Sequence, residues 1–129
     1  MTIIIDTSDE NIRNAIKKTI AQGKRCNLSD TKIGCSYINY EGTMHCVVGH
    51  MVTPKEAAIM EFELPEGHRG LIDDVTSINT ETNKQYVKLD DPSRLEILED
   101  MQIVHDSVSP TCWKSAFNRV LAEYNIDPI

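Results

Sequence analysis

Gly34-Cys35-Ser36-Tyr37-Ile38-Asn39-Tyr40-Glu41-Gly42-Thr43-Met44-His45-Cys46-Val47-Val48-Gly49-His50 decides how this chain folds, because it gathers two cysteines, two histidines and three glycines around one expected turn. From Cys35 onward, Cys35, Tyr37 and Asn39 alternate with Ser36, Ile38 and Tyr40 at the two-residue period of a strand. Glu41-Gly42 predicts a turn, and Met44 to Val48 forms a short β-prone return arm that Gly49 closes. The expectation is an antiparallel hairpin over residues 35–48, at the centre of a small antiparallel sheet.

Helices flank this ribbon on both sides in the sequence. Thr7 and Ser8 supply capping hydroxyls, Asp9 and Glu10 suit the positive end of a helix dipole, and Ile12, Ala15, Ile16 and Ile20 recur at helical spacing. Residues 8–22 therefore read as an amphipathic helix that Gly23 ends, with the polar stretch Asn27–Gly34 leading into the hairpin. After the hairpin, Thr53 is a cap and Pro54 a first residue for a helix running through Met60. Residues 61–93 are less patterned: Leu71, Val75 and Ile78 suggest a short helix after Gly70, and Lys84 to Leu89 a strand beyond the polar run 79–83. Asp91-Pro92-Ser93 starts a further helix with Leu95, Leu98, Met101, Gln102 and His105 near one face, ending near Asp106. Ser109 and Pro110 start the last helix, whose Trp113, Phe117, Val120, Leu121 and Tyr124 make a continuous apolar stripe suited to a core. The expected fold is thus α+β over a single domain, 1–129, in which the N-terminal helix and a C-terminal helix pair pack the hairpin.

Composition narrows the function classes. At 129 residues and 40% hydrophobic, the chain is long enough to fold on one core without disulfide or metal staples. Thirteen basic against twenty acidic residues give a formal charge of −7, which repels a phosphate backbone and argues against direct nucleic-acid binding. The same acidity suits a basic protein partner. The first residues carry only the short apolar run Ile3-Ile4-Ile5 before Asp6, and nothing approaches the ~20 apolar residues that span a bilayer. The expected setting is a cytoplasm, where Cys26, Cys35, Cys46 and Cys112 stay reduced.

The pattern Cys35-x-Tyr37-x-x-x-x-Gly42-x-x-x-Cys46-x-x-Gly49, followed by Met101-Gln102-x-x-His105-Asp106 and then Trp113, resembles a family of small phage and prophage accessory proteins. The likeness covers roughly two-thirds of the chain, leaving out residues 61–93. It implies a phage product acting in the cytoplasm of a bacterial host, in host takeover or in blocking a defence system.

Three chemistries suit the motif residues. Cys35, Cys46, His50 and His105, with His45 as a substitute, are the donor types that hold zinc, although the gap between Cys35 and Cys46 is wider than a zinc knuckle. Cys35 or Cys46 could act as a nucleophile with His105 as base, while Asp106, next to His105 along a helix, is expected to point elsewhere. In the structural alternative, the cysteines are small buried hydrophobes and His105 hydrogen-bonds the backbone or Tyr37, with Gln102 in the same network. Gly67-His68-Arg69-Gly70 offers donors to an anion or forms an ordinary turn. No phosphate loop, dinucleotide fingerprint or nucleophile elbow occurs, so no cofactor is expected beyond zinc at that donor set. The leading expectation is a non-enzymatic accessory protein that binds and modulates a host protein through its acidic surface or residues 61–93. The alternative is a small enzyme or ligand-binding protein with a Cys35/Cys46/His105 pocket between the hairpin and the C-terminal helices.

Overall fold

Two of the helices begin where a side chain satisfies loose backbone groups. The computed structural model describes residues 2–26 and 36–129, so the expectations for Asn27–Gly34 and for Cys35 lie outside the described residues. The first strand, β1 (Ile3–Ile5), leads into α1 (Asp9–Gln22). Ser8 Oγ accepts the Asn11 N–H at 3.2 Å, and Gly23, at φ +72°, ends α1 with its N–H on the Thr19 carbonyl at 3.1 Å. Ile12, Ala15 and Ile16 are buried along one face, each isoleucine contributing about 1.5–3 kcal/mol.

A single 3-10 turn, Gly49–Met51, precedes α2 (Pro54–Ala58), which opens with a reciprocal box between Thr53 and Glu56. The helix then widens into a π-type turn over Ile59–Glu63. The middle of the chain forms α3 (Ile72–Val75), β2 (Ile78–Asn79), β3 (Lys84–Gln85) and β4 (Val87–Leu89). A 3-10 turn at Pro92–Arg94 starts α4 (Leu95–Ser107), and another at Pro110–Cys112 starts α5 (Trp113–Glu123). Trp113, Phe117, Val120 and Leu121 of α5 and Leu98 and Met101 of α4 are buried in the shared core with α1. The architecture is α+β, as the sequence led us to expect.

The strand pairing differs from expectation in detail. Among the described residues the hairpin is held by one antiparallel bridge, Ile38 to His45, and its first arm does not alternate: Ser36, Tyr37, Ile38 and Asn39 are all buried. Side chains replace the missing ladder. Asn39 Oδ1 accepts the Thr43 and Met44 N–H groups at 2.9 and 3.0 Å, and Gly42 takes the left-handed conformation, φ +73°, that the turn requires. The regular pairs lie elsewhere: β2 with β3, antiparallel, and β1 with β4, parallel, in the register Ile3 to Val87 and Ile5 to Leu89. Asp90, just past β4, accepts the Thr7 N–H at 2.9 Å and the Thr7 hydroxyl at 2.5 Å, which holds its carboxyl below the usual range. Among the described residues, no helix is long and apolar enough to cross a membrane.

Candidate functional site

Three elements converge on one polar cluster: the end of α1, the return arm of the hairpin and the end of α4. Gln22, the last residue of α1, clamps the return arm with its amide. Its Oε1 accepts the His45 N–H at 2.9 Å and His50 Nε2–H at 3.1 Å, while its Nε2 donates to the His45 and Lys24 carbonyls at 2.9 and 2.8 Å. The His45 and His50 rings lie 5.0 Å apart. Arg25, just beyond α1, ties the cluster to α4 by donating to the His105 and Val108 carbonyls at 2.9 and 2.7 Å.

The convergence has electrostatic consequences. Burial, then His45, Lys18 and His105, push the His50 imidazole down to about 4, and burial, then Lys18, lower His45 while the Tyr37 backbone carbonyl opposes the shift. Both rings are therefore neutral at pH 7. The unfolded chain binds protons near pH 6.5 and the folded cluster does not, so stability is fully present above that value and falls as the pH drops toward 4. Discounted for the solvent that reaches His50, the loss amounts to about 2 kcal/mol. Urea unfolding of wild type and His50→Gln at pH 7 and 4.5 should show the variant losing less; equal losses would mean that His50 does not titrate in this way.

His105 is buried, stacked on Trp113 at 5.3 Å, and donates from Nδ1 to Asp106 Oδ1 at 2.9 Å. This corrects the expectation that Asp106 points elsewhere: near the helix end, the short aspartate side chain folds back along the ring of its neighbour. His105 does not bond Tyr37, whose hydroxyl donates to the Gly70 carbonyl at 2.5 Å, and Gln102 instead accepts the Ile72 N–H at 3.4 Å. His105 Nε2 and His45 Nδ1 are buried and find no hydrogen-bond partner among the described residues.

Of the motif residues, the structure brings His45, Cys46, His50 and His105 to this region, and Cys35 lies outside the described residues. Cys46 is buried and its Sγ accepts the Gly49 N–H at 3.3 Å, and the Cys26 Sγ donates to the Met44 carbonyl at 3.3 Å. Among the described residues, no group of three or more His, Cys, Asp or Glu is arranged to hold a metal ion. Arg69 is committed to the Leu64 and Phe62 carbonyls, which favours an ordinary turn at Gly67–Gly70 over an anion site.

A second feature lies on the outer side of α4. Leu71 and Ile103, 61% and 60% exposed, line a groove of about 150 Å³ with Ile72 and Gln102, and Asp73, Glu99 and Asp106 stand around it. Partial burial, then Asp73, Asp100 and Glu96, raise the Glu99 carboxyl above its usual range. An apolar floor with crowded carboxylates has the chemistry to take an amphipathic cation. Sequence reasoning missed this groove, although Ile103 is an apolar residue off the buried face of α4. It also missed Gln22, for which a polar residue at a helix end gave no signal.

No protein-family model, curated protein or solved structure matches this chain.

Proposed function

We propose that this chain is a binding module that takes a basic, amphipathic segment of a host protein into the groove between Leu71 and Ile103, and so modulates that protein as a phage accessory factor in the bacterial cytoplasm. One observation carries this: two large aliphatic side chains, each about three-fifths exposed, line one groove with the carboxylates of Asp73, Glu99 and Asp106. The apolar floor supplies affinity, and the carboxylates set charge preference and encounter rate. A cation in the groove also favours ionised Glu99, so affinity is full above the raised Glu99 range and falls as acid protonates it.

Titration calorimetry with a helical peptide carrying leucines on one face and lysines on the other tests the proposal. Wild type should bind, more weakly as salt rises. Ile103→Asp should bind at least about tenfold more weakly, with thermal stability nearly unchanged because Ile103 is exposed. Equal affinity of the two proteins, or no binding by wild type, contradicts it.

A second reading, a ligand-binding or enzymatic pocket around Cys46 and His105, is favoured by the buried His105 Nε2, which has no hydrogen-bond partner among the described residues, beside the Asp106-held Nδ1. Under it, alanine at Cys46 or His105 removes the biological effect from folded protein and Ile103→Asp does not. The groove proposal predicts the reverse.

A further inference from the structure

We infer that Tyr40 and Phe62 form a stacking subsite for an arginine side chain of the basic partner, an inference that rests on the groove proposal above. Tyr40 is 70% exposed and Phe62 38%, and their rings stack with centroids 5.5 Å apart and planes 20° from parallel. An aromatic pair that the fold leaves partly in water presents a π-face, which attracts cations.

Both rings stand on braced backbone. Tyr40 belongs to the turn that Asn39 organises, with the Gly42 N–H on the Asn39 carbonyl at 3.1 Å. Phe62 lies in the π-type turn after α2, a wider helical form that recurs at functional positions, and Arg69 donates to its carbonyl at 3.4 Å. A platform fixed before binding loses little freedom when a ligand stacks on it.

Charge selects the occupant. Glu41 and Glu63, both exposed, neighbour the two rings along the chain. Glu61 is engaged at the Tyr37 N–H at 2.7 Å. The nearby cation, Arg69, has Nε and Nη2 on the Leu64 and Phe62 carbonyls. A guanidinium fits this setting better than an ammonium, because it is flat, weakly hydrated and donates in its own plane while its face stacks. Residues 62–71 connect platform and groove: Arg69 holds Phe62, the Gly70 carbonyl accepts the Tyr37 hydroxyl, and Leu71 forms a groove wall.

Calorimetry on the full chain with two helical peptides, identical except that one carries arginine wherever the other carries lysine, tests the assignment. Wild type should bind the arginine peptide at least threefold tighter. Tyr40→Ala should bring the two affinities together, and Tyr40→Phe should keep the preference. Equal affinities in wild type, or a preference unchanged in Tyr40→Ala, overturns the platform, while sensitivity to Ile103→Asp leaves the groove standing. No binding of either peptide to wild type overturns both.

Discussion

Gly49→Ala should cost about 3 kcal/mol or more, a large share of the 5–15 kcal/mol that holds a domain of this size. A Cβ built on Gly49 stands 2.0 Å from the Tyr37 carbonyl oxygen, 3.0 Å from its carbon and 3.3 Å from His45 Cβ. Two of these are backbone atoms, so no side-chain rotation relieves the clash. The 3-10 turn would have to part from the first arm of the hairpin. Cys46 Sγ would then lose the Gly49 N–H, and His50 would be drawn from Gln22. Urea unfolding at pH 7 measures the effect, and a loss under about 1 kcal/mol would show that the hairpin and the 3-10 turn do not approach as described.

Trp113→Ala should be comparably severe, at about 3–5 kcal/mol. Trp113 is the largest fully buried side chain among the described residues; it stacks on His105, packs on Phe117 at 6.2 Å and donates from Nε1 to the Val108 carbonyl at 3.0 Å. Truncation opens a cavity and strips a donor from a carbonyl that then depends on Arg25. Trp113→Phe should recover most of the packing and none of the hydrogen bond. Chemical denaturation of both variants orders them, and equal stability would remove the hydrogen bond from the account of the α4–α5 junction.

The helices were legible in the sequence because their signals are local. Ser8 and Gly23 bracket α1, Thr53-Pro54 starts α2, and the proline-led turns at Pro92 and Pro110 start α4 and α5. Strand pairing was not, because it is set by partners far along the chain: Ile3 meets Val87, and nothing within β1 announces it. The hairpin was half legible. Its turn at Gly42 stands, but Asn39 and Gln22 side chains satisfy backbone groups that strand periodicity assigns to a ladder. At the candidate site, the helical spacing of Leu98, Met101 and His105 did place His105 inward. Its bond to Asp106 depends on one side-chain rotamer, which no spacing rule specifies.

The most direct test of a cation-selective docking groove is methyl NMR of the full chain titrated with the leucine–lysine peptide. Saturating shifts at Leu71 and Ile103, with the buried methyls of Ile5 and Ile16 unmoved, are the predicted result. Saturable binding that leaves Leu71 and Ile103 unshifted would contradict it.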